Sequence, residues 1–113
     1  MNKTEAAGKS GPVDVLCIYR VKAGKGADFK KILEKHGPAL KKAGLTSGKA
    51  PTIWKSATRD GKTVFIELMQ WKDGNSAAAA HQMPEVMAVW EPMGNFTDGM
   101  EFLDLEPAGL GKA

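Results

Sequence analysis

Four segments of the chain alternate apolar and polar residues as β-strands do, namely residues 13–22, 51–58, 63–72 and 100–106. The centre of the first segment is apolar on both faces, which predicts a strand covered on both sides. In the third segment Glu67 shares a face with Phe65 and Met69. A carboxylate among apolar neighbours is costly unless it is paired, so we expect Glu67 to be buried or partnered.

Between these strands the apolar residues recur at helical spacing. Residues 27–43 carry one apolar stripe that includes His36, and Gly37-Pro38 predicts a kink or a break next to it. A short helix is expected over residues 76–82, and a further helix begins at Pro84. The dipeptide Asp60-Gly61 lies between two strand segments and predicts a type I′ hairpin.

The predicted order is β-α-β-β-α-β, with the second helix divided in two. This is the ferredoxin-like α+β arrangement, a four-stranded antiparallel sheet with helices on one face. The other face of the predicted sheet is apolar, and an exposed apolar patch of that size usually marks an interface. We therefore expect a second copy to stack its sheet on this face and form a dimeric α/β barrel.

The length of 113 residues predicts one domain, residues 13–107, between flexible tails at residues 1–12 and 108–113. A hydrophobic content of 42% and a charged content of 26% are those of soluble globular proteins. The sequence has no apolar run of bilayer length and no apolar signal-peptide core, so we expect no membrane association. Cys17 is the only cysteine, which excludes an intramolecular disulfide and favours the cytoplasm.

Charge is distributed unevenly along the chain although the formal net charge is only +3. Residues 20–62 hold twelve basic and three acidic side chains, whereas residues 63–113 hold two basic and eight acidic ones. This pattern fits either a surface that attracts anions or, as we favour, a solvated helix face. The lysines lack interleaved aromatic residues, so no nucleic-acid partner is expected. The chain also has no nucleophile elbow, phosphate loop or dinucleotide fingerprint.

The element order resembles that of the dimeric α/β barrel superfamily over about residues 13–105. Within it, the chain is most similar to the antibiotic-biosynthesis-monooxygenase-like group. The motifs that carry the resemblance are FIELMQWKD before the second helix, AHQMPEVMAVW within it, and a last strand that begins with MEF. The resemblance implies a homodimer with a pocket in each subunit between the sheet and the helices. It also implies activities such as cofactor-free oxygenation of polycyclic quinols, haem degradation, or chlorite and peroxide chemistry.

The haem-degrading branch of the superfamily fits this sequence poorly. As we align it, the histidine that ligates iron in that branch falls near Trp90, and its first-strand asparagine falls near Tyr19. Tryptophan does not ligate iron, and a tyrosine hydroxyl does not replace an amide donor unchanged. His81 is nearly three helical turns earlier and would ligate iron only in a rebuilt site.

The candidate catalytic residues are His81 and His36, since an imidazole can accept a proton near neutral pH. The structural alternatives are that His81 bonds a free carbonyl at a helix end and that His36 is a satisfied core residue. The candidate substrate-binding residues are aromatic, apolar or acidic side chains of the predicted strands and the second helix: Tyr19, Trp54, Glu67, Trp71, Met87, Trp90 and Glu91. Two histidines make a transition-metal site improbable, and we expect neither metal nor cofactor.

Three functions are compatible with these features. The first is a cofactor-independent monooxygenase in which His81 or His36 takes a proton from a phenolic or quinol-like substrate, whose anion then reacts with oxygen. The second is a non-catalytic module, related to stress or interaction, that binds an apolar or aromatic metabolite or another protein. The third, haem binding, is expected to be weak and non-specific.

Overall fold

The computed structural model describes residues 11–111. Residues 1–10 of the predicted N-terminal tail and residues 112–113 of the predicted C-terminal tail lie outside the described residues. The elements follow in chain order as β1 (Val13–Val21), α1 (Gly26–Lys42), β2 (Thr52–Ala57), β3 (Thr63–Trp71), α2 (Ser76–Ala80), α3 (Pro84–Asn95) and β4 (Thr97–Leu105).

The four strands form one antiparallel sheet in the order β2-β3-β1-β4. The apolar strand β1 is central, as its sequence predicts, and Cys17 at its middle lies opposite Glu67 of β3 and Phe102 of β4. This confirms the ferredoxin-like α+β fold.

One face of the sheet is covered by the helices and holds the core. Directly opposed residues in an antiparallel pair share a face, so Cys17, Glu67 and Phe102 all lie on this side. Phe29 of α1 packs on Tyr19 of β1 and on Phe65 of β3, with ring centroids 5.2 and 5.5 Å apart. The apolar stripe of α1 therefore faces the sheet, and it places His36 in the same layer.

The other face of the sheet is apolar and carries no helix; we call it the open sheet face. Trp54 and Leu103 lie on it and are 51% and 45% exposed. Their direct neighbours across the strands are Ile66 and Leu16, which are half-buried, and Ile18 and Leu68 extend the same surface. The open sheet face is thus a continuous apolar surface over all four strands.

The structure corrects three details predicted from the sequence. The β2–β3 hairpin has a longer loop, in which only Gly61 takes a positive φ (+87°) and its amide donates to the Thr58 carbonyl. A type I′ turn needs a positive φ at both central residues, so that prediction is wrong. Of the kink or break predicted next to His36, the break does not occur: helix α1 runs unbroken through Pro38, and residues on both sides of Pro38 pack into the core. Strand β4 begins at Thr97, earlier than predicted, because β1 pairs with it across a bulge at Arg20 and Val21.

None of the helices within residues 11–111 has the length and apolar character needed to cross a bilayer.

Candidate functional site

A cavity of about 340 Å³ lies between the covered face of the sheet and helices α2 and α3. Most of its wall is aromatic or aliphatic, as in most small-molecule sites. Its lining residues are Val15, His36, Met69, Trp71, Ala77, His81, Met87, Trp90, Glu91, Met100, Phe102 and Asp104.

Most of the residues singled out in the sequence meet in this cavity. His36, His81, Trp71, Met87, Trp90 and Glu91 line it together. Tyr19 and Glu67 do not line it but lie in the core and are connected to His36 by hydrogen bonds. Trp54 is on the open sheet face, on the opposite side of the sheet from the cavity.

Tyr19, Glu67 and His36 form a buried polar chain. The Tyr19 hydroxyl donates to Glu67 Oε1 at 2.6 Å, and His36 Nδ1 lies 3.0 Å from the same oxygen and 3.4 Å from Oε2. Each of the three residues is at most 1% exposed. The expectation that Glu67 is a buried, partnered carboxylate is confirmed.

Burial and the charge of Glu67 bear on where the protons of these three hydrogen-bonded residues lie. Burial, followed by the charge of Glu67, raises the pKa of Tyr19, so its hydroxyl stays protonated and donates. An ionised Glu67 carboxylate can only accept hydrogen bonds, and it would therefore select the His36 tautomer that has the proton on Nδ1. In that tautomer His36 Nε2 has a free lone pair and can accept a proton or a hydrogen bond.

Two buried side-chain nitrogens of the cavity wall have no hydrogen-bond partner within residues 11–111: His36 Nε2 and Trp90 Nε1. The first is an acceptor in the tautomer described above and the second is a donor. Their rings are neighbours, with centroids 6.3 Å apart. A hydroxyl group has the chemistry to donate to the acceptor and to accept from the donor.

The outer part of the cavity differs from this buried wall. His81 is exposed at the end of α2, and its ring lies edge-on to Trp90 at a centroid distance of 4.9 Å. Its side chain makes no hydrogen bond within the part of the chain that the structure describes. His36 is therefore the histidine that a carboxylate holds in one orientation, and His81 is not.

Strand β4 supplies cavity residues that the sequence analysis did not single out, namely Met100, Phe102 and Asp104. Their alternation predicts that they share a face, but alternation does not say which face meets the helices. The signal that could have found them is the buried Glu67. Strands β3 and β4 both pair with β1, and Phe102 lies on the same face of the sheet as Glu67, so the burial of Glu67 indicates which face of β4 meets the helices.

No cluster of three His, Cys, Asp or Glu side chains suited to a metal ion occurs in residues 11–111.

Cys17 is buried below this site, and we expect it to be inert in the native protein. Burial, with the charge of Glu67 as the second cause, raises the pKa of its thiol to about 12. Thiolate is the reactive form, so N-ethylmaleimide should label Cys17 at about pH 8 only after unfolding. Labelling of the native protein at the rate of a free thiol would contradict the buried position.

The raised pKa of Cys17 also gives a pH dependence of stability. The unfolded chain loses the thiol proton above the ordinary pKa of 9.0, whereas the folded chain keeps it up to about 12. The unfolded state then binds fewer protons, so the free energy of unfolding should fall as the pH rises through this window. Denaturant titrations at several pH values measure this effect: the free energy of unfolding of Cys17→Ala should fall less steeply with rising pH than that of the wild type.

The fold and the cavity define the class of this protein: a ferredoxin-like α+β protein with a largely apolar cavity between its sheet and its helices. Neither a family model nor a curated protein matches the chain.

Solved structures do match it. SnoaB of Streptomyces nogalater, named a cofactor-independent oxygenase, is 13% identical with a TM-score of 0.65, covering 86% of this chain and 93% of that one. At3g17210 of Arabidopsis thaliana is 13% identical with a TM-score of 0.67, and the match covers 88% of this chain and 98% of that one. A Nitrosomonas europaea protein, provisionally named an antibiotic biosynthesis monooxygenase, is 12% identical with a TM-score of 0.63. The match covers 90% of this chain and 95% of that one. The resemblance seen in the sequence is thus confirmed as a shared fold.

Proposed function

We propose that the protein is a cofactor-independent oxygenase that acts on a phenolic or quinol-like substrate held in the cavity. The observation that carries the proposal is the buried Glu67–His36 pair, in which His36 lines the cavity and its Nε2 has no hydrogen-bond partner among residues 11–111. A carboxylate that orients an imidazole and leaves its second nitrogen free is the arrangement of a general base.

The first step of the proposed reaction is proton transfer. The substrate hydroxyl donates to His36 Nε2, its O–H bond breaks, and the electron pair stays on the substrate oxygen. The imidazolium that forms is stabilised by Glu67 through Nδ1–H. Trp90 Nε1 is placed to donate to the phenolate oxygen, and the apolar wall excludes water from the anion.

The second step is the reaction of this electron-rich anion with dioxygen. A ring carbon forms a bond to one oxygen atom and loses its hydrogen, and the hydroxyl-bearing carbon becomes a carbonyl. The second oxygen atom leaves as water, with the proton from His36 and the hydrogen from the ring carbon. Overall, one dioxygen is consumed for each phenol converted to a quinone and one water.

We also propose that the protein is a homodimer joined through the open sheet face. Apolar side chains extend over all four strands of this face, half-buried on the two inner strands and exposed on the outer ones, as for Trp54 and Leu103. Monomeric soluble proteins rarely expose so large a patch. A second copy of the sheet would cover this face and leave the cavity, which lies on the other side, in each subunit.

Oxygen consumption tests the proposed reaction. Purified protein is mixed with anthrone, whose enol form is a phenol, in air-saturated buffer containing a chelator, and oxygen uptake is followed with an electrode. Wild type should consume oxygen with quinone formed in equal amount, and His36→Gln should consume it at the rate of buffer alone. His81→Gln is the matched control and should retain most of the activity, because no carboxylate orients His81.

Two results would contradict the proposal. Equal activity in wild type and His36→Gln would exclude His36 as the base. Binding of anthrone to the wild-type protein with no oxygen consumption would instead identify the non-catalytic ligand-binding module.

A further inference from the structure

Two carboxylates lie at the outer part of the cavity, Glu91 on α3 and Asp104 on β4. Both line the cavity and both are exposed. Within residues 11–111 neither forms a salt bridge or a side-chain hydrogen bond. The cavity lining contains no lysine or arginine, although the chain as a whole carries a net positive charge.

The inner part of the same cavity holds two unpartnered polar atoms, an independent indication of a ligand whose polar end lies inward. His36 is only 1% exposed, and within residues 11–111 neither its Nε2 nor Nε1 of the neighbouring Trp90 ring has a hydrogen-bond partner. The rest of the cavity wall is built mostly from aromatic and methionine side chains such as Trp71 and Phe102.

We propose that the cavity selects phenols with a cationic amine at the end of the molecule opposite the hydroxyl. This inference rests on the proposed function, and it names the substrate class of the same site. The hydroxyl lies against His36 and Trp90, and the ring contacts Trp71 and Phe102. The ammonium group reaches the outer part, where Glu91 and Asp104 attract it and the faces of the aromatic rings add cation–π attraction. An anionic substituent at the same place is repelled by both carboxylates.

Three ligands of similar size and different charge test this inference: tyramine (cationic), 4-ethylphenol (neutral) and 3-(4-hydroxyphenyl)propionate (anionic). Their dissociation constants are measured by calorimetry at low ionic strength and one fixed pH. We expect tyramine to bind roughly fivefold or more tightly than 4-ethylphenol, and the propionate to bind more weakly than both. The preference for tyramine should shrink as salt is added, because the carboxylates are exposed.

A double variant and a control of equal net charge separate the effect of these two carboxylates on binding from the effect of the protein's overall charge. Glu91→Gln with Asp104→Asn should bring tyramine to the affinity of 4-ethylphenol and should leave 4-ethylphenol itself within about twofold of wild type. The control is Glu85→Gln with Asp98→Asn, which changes one exposed carboxylate on each of the same two elements outside the cavity lining. It should keep the wild-type preference.

The outcomes distinguish this inference from the proposed function. If 4-ethylphenol binds in a His36-dependent way but tyramine binds no more tightly, the charge inference is wrong and the proposed function stands. If the propionate binds best, or if both double variants lose the preference equally, the inference is wrong as well. If none of the three phenols binds, the phenol-binding cavity itself is refuted.

Discussion

Replacing Glu67 by glutamine is expected to reduce turnover by a factor of about 10²–10⁴ while the protein stays folded. The glutamine carbonyl can still accept from the Tyr19 hydroxyl, which lies 2.6 Å from Oε1 in the wild type. The same carbonyl oxygen can also accept from His36 Nδ1, which lies 3.0 Å from Oε1, so the tautomer is kept. A neutral amide lacks the charge that stabilises the imidazolium, so His36 should take the substrate proton far less readily.

Glu67→Ala should have a different effect, which is loss of stability. It leaves the Tyr19 hydroxyl and His36 Nδ1 in the core without the acceptor that they share. Leaving a buried donor without an acceptor costs about 1–3 kcal/mol for each group, and for these two donors together that is a large part of the total stability of a small domain. Urea unfolding should show this decrease, whereas Glu101→Ala, which removes only an exposed ion pair with Arg20, should cost less than about 1 kcal/mol.

Nitrogen NMR of the imidazole rings makes the Glu67 prediction specific. The His36 signals of the wild type and of Glu67→Gln should both be those of the Nδ1-protonated tautomer, because Oε1 or the carbonyl oxygen that replaces it accepts from Nδ1. A Glu67→Gln protein that keeps this tautomer and still turns over at the wild-type rate would contradict the role of the Glu67 charge. If the wild-type His36 is not protonated at Nδ1, the proposed position of the proton is wrong.

Trp54→Glu is expected to separate the proposed homodimer into monomers. Trp54 is 51% exposed in the subunit and lies on the open sheet face, opposite Ile66. A carboxylate there would be buried against an apolar partner surface without a counter-charge. We expect the dissociation constant of the dimer to rise by roughly 30-fold or more, as for a central interface residue. Sedimentation velocity over a dilution series measures it.

The neighbouring residue provides a matched control for this prediction. Ile53 belongs to the same strand and is 43% exposed, but it points to the covered side of the sheet, opposite Glu67. Ile53→Glu should therefore leave the dimer intact. A wild-type protein that is monomeric at micromolar concentration, or two variants that dissociate equally, would disprove an interface on the open sheet face.

Much of the fold could be predicted from local patterns. The alternation in β1 and β3 and the apolar stripe of α1 reflect burial, which acts on every residue of an element and repeats with its period. The turn after β2 was predicted less well, because Asp60-Gly61 is compatible with more than one loop and the strand pairing selects among them.

The candidate site could be predicted only in part. His36, His81, Trp71 and Trp90 do meet in one cavity, since large side chains near helix–sheet contacts tend to enclose space. The sequence could not rank the two histidines, because the difference is a hydrogen bond to Glu67, which is 31 residues away along the chain. By residue type alone Trp54 is as suited to a pocket as Trp71, but the register of β2 places Trp54 on the other face of the sheet.

The sequence by itself determined the order of the elements, the apolar character of both faces of the central strand and the burial of Glu67, because each follows from the local periodicity of side-chain hydrophobicity. Only the tertiary structure decided which histidine a carboxylate orients, that Asp104 joins Glu91 at the cavity, and that Trp54 faces away from it. These are relations between residues far apart in the chain, and they depend on strand register and helix packing, which no local pattern specifies.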